Sequence, residues 1–319
     1  MSKKKCSAIS GSKRRRELLD ILRASRPQKF PCKQSLVDEK DYRTMVQDVK
    51  RSVSYWDVHT HLKVKARLRK RNALMECLNI VSRSVPGFSY YQGMHDICLF
   101  LLEVCNDNVC VASEIATCIL TDHFQDFMQL DFNHSLVPKL DALERLTRAA
   151  DPELADRISR AGIGYHFAVP WILTWFTHSI PNFDELCAIF QSLLSTFQIP
   201  SAEWIIYICA AALILNRENI IRGGNDAGCV FNEAKLSPVA VQKDSIIELA
   251  YSLSKRFPIN NAPKKKLPYQ ALFTCIRGVF IALAIALFIQ ILISISEVSV
   301  SRLLYGGIFT TLPITRFKS

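Results

Sequence analysis

The amino-acid sequence predicts an all-α protein, in which a multi-helix domain is followed by one C-terminal transmembrane helix. Apolar residues recur at spacings of three and four through most of residues 36–257, which is the period of an amphipathic helix. The same region shows almost no alternation of apolar and polar residues, the pattern of a half-buried strand. Residues 278–296 form an uncharged apolar stretch of the length that crosses a bilayer.

Most of the surplus positive charge lies in the N-terminal region, residues 1–35. The 319-residue chain has a formal net charge of +11, and this region holds eleven Lys or Arg against two acids. It is interpreted as a solvated, disordered basic segment, or as one attracted to an anionic membrane surface, with part of a first helix in RRRELLDILRAS. No folded module with a basic face and interleaved aromatic residues follows, so nucleic acid is not an expected partner.

The helical body, residues 36–257, begins with a stretch whose apolar residues share one face. Residues 73–85 (ALMECLNIVSRSV) place four of them there and end before Pro86-Gly87: Leu74, Leu78, Val81 and Val85. Residues 95–105 (HDICLFLLEVC) are apolar all round and should lie deeper in the fold.

Later segments of the body carry the same helical stripe. Their sequences are LVPKLDALERLT, PELADRISRA, AVPWILTWFTHSI, NFDELCAIFQSLLS and SAEWIIYICAAALILNRE. Asn182 and Ser201 are the predicted N-caps, and Glu185 follows Asn182 as in a capping box.

The apolar stretch at residues 278–296 is the predicted membrane anchor. Its nineteen residues would span nearly 30 Å at about 1.5 Å per residue. The competing stretch at residues 204–215 has twelve residues, typical of a buried core helix.

Positive charge between the body and the anchor sets the predicted orientation. Lys264, Lys265, Lys266 and Arg277 lie on the N-terminal side of the anchor, which places that side in the cytosol. With residues 258–277 as linker and 297–319 as a short lumenal tail, we expect a tail-anchored protein of the endoplasmic reticulum or early Golgi membrane, with its helical domain cytosolic.

The cysteines and histidines do not show the spacing of a metal site. Eleven cysteines are scattered without a C-x-x-C pair, and no signal peptide opens the chain. We therefore expect reduced thiols that serve as small core residues, without disulfides or zinc. The dispersed histidines are interpreted as surface or satisfied core residues: His123, His134, His166 and His178.

Two short motifs hold polar groups that the helical pattern does not explain. The first is M-x-x-D-x-x-R at residues 45–51, in which Asp48 precedes Arg51 by one helical turn. A carboxylate there could fix the orientation of the guanidinium, although an ordinary surface ion pair has the same spacing. The second is Y-x-Q-G-M at residues 90–94, followed by His95 and Asp96 at the start of the very apolar helix. Spacing alone assigns no role to these groups.

In this order the two motifs resemble those of the TBC domain of Rab GTPase-activating proteins. The signatures of that family are I-x-x-D-x-x-R and Y-x-Q, the latter often continued by Gly-Met. The resemblance covers about residues 40–220 and includes the tryptophan-containing helix at 170–183 (PWILTWFTHSIPNF). It implies a TBC fold whose partner is a Rab family GTPase in the GTP form, here one of the early secretory pathway.

The resemblance also implies roles for five residues. Arg51 would be the arginine finger, and Gln92 the glutamine finger that replaces the water-orienting glutamine of the GTPase. Asp48 would orient Arg51, Tyr90 would fix the loop that carries Gln92, and Gly93 would let the backbone approach the nucleotide closely. GTP and magnesium belong to the partner GTPase, so no cofactor of this chain is expected.

One family motif is missing from this sequence. TBC domains carry R-x-x-x-W on a helix before the arginine finger, but the first tryptophan here is Trp56, beyond Arg51. Because that helix normally packs beneath the arginine segment, its loss would leave Arg51 mobile or misplaced. A catalytically impaired, membrane-tethered Rab-binding scaffold is therefore the alternative hypothesis, and a structural membrane protein is the third.

Overall fold

The computed structural model divides the chain into two compact units, Met1–Pro263 and Lys264–Ser319. It describes part of the first unit: residues 13–23, 38–52, 63–85, 87–129, 132–195, 199–224 and 226–259. Every regular element in these ranges is a helix, which confirms the all-α prediction for the helical body. No helix in the same ranges combines the length and apolar character needed to cross a bilayer. The predicted anchor, 278–296, lies outside the described residues.

The helices are numbered here in chain order. They are α1 (13–23), α2 (Glu39–Arg51), α3 (Val64–Ser84), α4 (Met94–Val104), α5 (Val109–His123), α6 (Gln125–Gln129), α7 (Phe132–Ser135), α8 (Val137–Ala150), α9 (Pro152–Arg160), α10 (Val169–Thr174), α11 (Phe183–Ser195), α12 (Ser201–Leu215), α13 (Arg217–Arg222), α14 (Ala227–Ala240) and α15 (Lys243–Arg256), with a 3₁₀ turn at His166–Ala168.

Two helices that are apolar all round form the centre of the fold. Every residue of α12 from Trp204 to Leu213 is buried, and the helix packs against α8, α14 and α15. In α4, every residue from Met94 to Leu102 is buried. A helix without a polar face must be covered on all sides, so both were correctly predicted as core helices, and the stretch at 204–215 is not a membrane span.

The amphipathic helix α3 covers one side of this core. The predicted stripe is confirmed, because Leu74, Leu78 and Val81 are fully buried and Val85 is nearly so. Helix α3 packs this face against α4 and α5, which holds α4 in place behind the loop at 88–93.

Of the two predicted N-caps, one is confirmed and one is wrong. Asn182 Oδ1 accepts hydrogen bonds from the backbone N–H groups of Asp184 and Glu185 at 3.0 and 3.2 Å. The Glu185 carboxylate instead pairs with the buried Lys243, at 2.8 Å. Ser201 is the first residue of α12, whose cap is Pro200. The Ser201 hydroxyl lies 2.7 Å from His123 Nδ1, so it contacts α5 instead of capping α12.

The segment predicted as one helix over AVPWILTWFTHSI ends earlier than expected. Helix α10 stops at Thr174, because Trp175 and Phe176 adopt left-handed backbone conformations with φ of 47° and 67°. Both side chains are buried, and the Trp175 ring lies 4.8 Å from the ring of Phe124. Burial of two large aromatic rings offsets the cost of this backbone. The chain turns after α10, and that turn carries His178.

Helix α1, in the basic N-terminal region, belongs to the same core. Leu18 and Leu22 are buried within it. Arg15 donates hydrogen bonds to the carbonyl oxygens of Glu103 and Val104. Its positive charge there interacts favourably with the negative C-terminal end of the α4 dipole. Gln191 Nε2 donates to the Arg14 carbonyl at 3.0 Å. Residues 13–23 are the first helix that was expected in RRRELLDILRAS, so the disordered-segment interpretation does not apply to them.

Most of the described cysteines are core residues, as predicted. All eight in the described ranges are free thiols, and Cys110 and Cys229 are exposed. The others are buried: Cys77, Cys98, Cys105, Cys118, Cys187 and Cys209.

Candidate functional site

An open cavity of about 760 Å³ lies where the C-terminal end of α2, the loop before α4 and helix α10 meet. Arg51 and Gln92, which the sequence placed in two separate motifs, both line this cavity. The structure therefore brings the predicted pair to one site. The polar side chains of His95, Asp96 and His178 line the same cavity.

Arg51 is the last residue of α2, and Asp48 holds its side chain. Met45, Asp48 and Val49 are the buried residues of this helix, so the face that carries Asp48 packs against the core. The Asp48 side chain is 2% exposed and accepts a hydrogen bond from the Arg51 guanidinium, which is 59% exposed. The carboxylate lies inside the protein and fixes a guanidinium that projects into the cavity. Arg51 is thus held by a residue of its own helix, in a chain that has no R-x-x-x-W motif before it.

Tyr90 connects the loop that carries Gln92 to both ends of α2. Its backbone N–H donates to Asp41 Oδ2 at 2.7 Å, in the first turn of the helix. Its hydroxyl donates to Asp48 Oδ2 at 2.8 Å, in the last turn. Tyr90 is buried, whereas Gln92, two residues later, is exposed. The loop therefore presents the carboxamide of Gln92 from a fixed base.

The charge states of Asp48 and Tyr90 follow from their surroundings. Burial alone would raise the pKa of Asp48, but hydrogen bonds from His95 and Tyr90, and the charges of His95 and Arg51, lower that pKa below its usual value. Asp48 is thus ionised at neutral pH. Burial and the neighbouring Asp48 charge raise the pKa of Tyr90, so its hydroxyl remains a donor. Both pKa shifts favour the same hydrogen bond, from a neutral Tyr90 hydroxyl to an ionised Asp48 carboxylate.

Gly93 is required by the fold itself. Its φ is +112°, and a Cβ at this position would lie 2.7 Å from Thr174 Cγ2. Any L-residue here would be strained and would collide with α10. The resemblance attributed this glycine to close approach of a nucleotide, and the structure gives a reason that lies within the chain.

Three further polar residues of the site received no role from the sequence. His95 Nδ1 lies 3.0 Å from the Tyr90 hydroxyl, and His95 Nε2 lies 3.2 Å from Asp96 Oδ1. His178 Nδ1 lies 2.9 Å from Asp96 Oδ2. The position of His95 and Asp96 directly after Y-x-Q-G-M was a signal, because polar groups are unusual at the start of so apolar a helix. His178 gave none and was interpreted as an ordinary histidine.

The described side chains of the site can donate hydrogen bonds and supply positive charge to a ligand in the cavity. No group of three or more potential metal ligands occurs in the described ranges. The exposed Arg51 guanidinium is held from behind by Asp48, and the exposed Gln92 lies on a loop that Tyr90 attaches to α2. Such an arrangement suits an oxyanion or an activated water that another molecule brings.

The helical fold and the arginine and glutamine at one open cavity agree with the class of protein that the two motifs predicted, the TBC domain proteins. The model of the Rab-GTPase-TBC domain family matches residues 9–221. The chain belongs to this family, as the motifs predicted.

Two curated relatives and one solved structure illustrate the similarity. GTPase-activating protein gyp10 of Schizosaccharomyces pombe is 25% identical over 215 residues, which are 66% of this chain and 56% of that protein. TBC1 domain family member 20 of Homo sapiens is 24% identical over 225 residues, 69% of this chain and 52% of that protein. This chain therefore spans about half the length of these relatives. The crystal structure of the Chlamydomonas flagellar RabGAP TBC domain matches with a TM-score of 0.53 at 18% identity, covering 67% of this chain and 68% of that one, and supports the fold.

Proposed function

We propose that this chain is a GTPase-activating protein for a Rab GTPase of the early secretory pathway. The observation that carries the proposal is that Arg51 and Gln92 line one open cavity, with Arg51 held by the buried Asp48 carboxylate. Membership of the Rab-GTPase-TBC domain family supports it. So does the similarity to gyp10, which is a GTPase-activating protein.

In the proposed reaction, the Rab brings GTP and magnesium, and this chain supplies two side chains in trans. The Arg51 guanidinium stabilises the negative charge that develops on the phosphate oxygens, an effect worth about 10³ to 10⁵ in rate for arginine fingers. The Gln92 carboxamide orients the attacking water. Asp48 and Tyr90 hold the two fingers before the Rab arrives, so little reorganisation is needed in the transition state.

Single-turnover GTP hydrolysis by a panel of Rab proteins tests the proposal. Arg51→Ala and Gln92→Ala should each lower the stimulated rate at least about tenfold, which corresponds to about 1.4 kcal/mol. Arg43→Ala and Gln47→Ala are matched controls, because both residues are exposed on α2, and they should retain the wild-type rate. The assignment is wrong if neither finger substitution slows hydrolysis of any Rab.

A catalytically impaired, membrane-tethered Rab-binding scaffold is the second candidate, favoured by the absence of R-x-x-x-W before Arg51. It predicts nucleotide-dependent Rab binding together with a hydrolysis rate equal to that of the Rab alone. A lack of any nucleotide-dependent binding would instead favour a structural membrane protein.

The proposed location, the endoplasmic reticulum or early Golgi membrane, rests on the apolar stretch at residues 278–296. Alkaline extraction of cell membranes tests the membrane insertion on which this location depends. The full chain should stay in the membrane pellet, and a chain that ends at residue 277 should be released.

A further inference from the structure

We propose that His178 is a positioning residue for Arg51, and that it acts through Asp96 and His95. The inference rests on the proposed function and adds a residue that lies far from both fingers in the sequence. It is carried by a continuous series of side-chain contacts from one side of the cavity to the arginine.

The first contact joins two elements of the cavity wall. His178 lies in the turn that follows α10, and its Nδ1 is 2.9 Å from Oδ2 of Asp96, in the first turn of α4. The Asp96 side chain is 6% exposed, whereas that of His178 is 38% exposed. A carboxylate has only acceptors to offer, so the proton of this bond is on Nδ1 of His178. The bond fixes one oxygen of a buried carboxylate.

The second contact passes to His95, which is also buried. The other oxygen of Asp96 lies 3.2 Å from His95 Nε2. On the opposite side of the imidazole ring, Nδ1 lies 3.0 Å from the Tyr90 hydroxyl and 3.3 Å from Asp48 Oδ2. His95 therefore lies between the two carboxylates, and Asp48 holds Arg51. Asp96 is therefore the contact through which His178 would influence the orientation of His95.

Loss of the His178 bond would let the Asp96 carboxyl rotate and the His95 ring follow it. Asp48 would then lose a fixed neighbour, and the guanidinium of Arg51 that it holds would be less well oriented. A displacement of about 1 Å at a reacting group can slow a reaction by about 100-fold. The simpler explanation is that His178 only joins the turn after α10 to α4 and so stabilises the fold. The two explanations differ in which kinetic constant changes.

The test compares three substitutions, with purified full-length protein and Rab·GTP as the substrate. His178→Ala should lower kcat about tenfold and leave KM for the Rab within about twofold, because orientation of Arg51 affects the transition state. His178→Asn keeps an N–H donor near the position of Nδ1 and should stay within about threefold of the wild-type kcat. His178→Gln is the matched polar variant whose amide is displaced by one carbon, and it should behave like His178→Ala.

A double substitution tests the route through Arg51. In an Arg51→Ala background, His178→Ala should cause no further fall in kcat beyond about twofold, since residues that act as a unit are not additive. Thermal denaturation of every variant accompanies the kinetics. If His178→Ala does not fold, the comparison of Asn with Gln decides the question.

The inference is overturned by a wild-type kcat in His178→Ala, by a change confined to KM, by equal losses in Asn and Gln, or by full additivity with Arg51→Ala. These results are distinct from failure of the proposed function. If neither Arg51→Ala nor Gln92→Ala slows hydrolysis, the proposed function fails; if only Arg51→Ala leaves the rate unchanged, the route through Arg51 fails. If Arg51→Ala slows hydrolysis and His178→Ala does not, only the role of His178 is refuted.

Discussion

Replacing Tyr90 by phenylalanine removes one oxygen from the buried network and keeps the aromatic ring. The lost hydroxyl donates to Asp48 Oδ2 at 2.8 Å, and water cannot easily take its place because Asp48 is 2% exposed. A hydrogen bond to a charged group contributes about 1.5–3 kcal/mol. We expect Tyr90→Phe to lower the free energy of unfolding by about 2 kcal/mol, measured by urea denaturation.

Under the proposed function, the same substitution should slow stimulated GTP hydrolysis. Asp48 loses one of the donors that orient it, so the guanidinium of Arg51 is less well fixed. A fall of about tenfold in the single-turnover rate is expected, equivalent to about 1.4 kcal/mol of transition-state stabilisation.

The stability loss should also depend on pH, because the folded state lowers the pKa of Asp48. A lowered pKa stabilises the protein above the unfolded value of about 3.9, and this contribution disappears as the pH falls through the folded value. Tyr90→Phe removes one of the bonds that lower the pKa. The difference in unfolding free energy between wild type and variant should be largest near neutral pH and should shrink below about pH 4.

The neighbouring Tyr91 provides the control. Its hydroxyl donates to the Leu173 carbonyl at 3.3 Å, a long bond to an uncharged group. Tyr91→Phe should cost no more than about 1 kcal/mol and should leave the acid dependence unchanged. Equal losses in the two variants, or a loss in Tyr90→Phe that does not vary with pH, would refute the reasoning.

Three other predictions concern the fold around the site. Gly93→Ala should lower the free energy of unfolding by about 3 kcal/mol, because of backbone strain and the collision with α10. Gly162→Ala should lower it by only about 1 kcal/mol, since Gly162 has a positive φ but no atom near its Cβ. Equal losses by urea denaturation would contradict this prediction. Leu18→Ala should cost about 3 kcal/mol, since α1 is part of the core; an unchanged thermal midpoint would contradict it. Glu185→Ala should lower the free energy of unfolding by about 3 kcal/mol, because it leaves Lys243 buried without its carboxylate. Lys243→Met should lower it by less than about 1 kcal/mol. A larger loss in Lys243→Met than in Glu185→Ala would contradict this prediction.

The sequence best predicted those features of the fold that depend on the residue pattern of a single helix. The burial of Leu74, Leu78 and Val81 follows from spacing, and the burial of α12 follows from its lack of a polar face. The end of α10 did not follow from either rule. Trp175 and Phe176 continue the apolar pattern, but packing of their rings against distant aromatic residues stops the helix. Tertiary contacts override local propensity there.

The site divides in the same way. Asp48 and Arg51 are one turn apart on α2, so their pairing could be predicted from spacing, while the meeting of Arg51 with Gln92 was expected only from the family resemblance. The bond between Asp96 and His178 joins residues far apart in the chain, and no local pattern precedes it. Ser201 failed as a predicted cap for a similar reason, because its hydroxyl contacts a different helix.

The double attachment of Tyr90 to α2 has a dynamic consequence. The backbone N–H of Tyr90 is bound to the first turn of that helix and its hydroxyl to the last turn. Opening of α2 would therefore release Arg51 and the support of Gln92 in a single event. In hydrogen-exchange terms, the amide of Tyr90 should open together with α2 as one cooperative unit. Under the proposed function, partial unfolding of α2 would disable both fingers together, and a population with only one working finger would not accumulate.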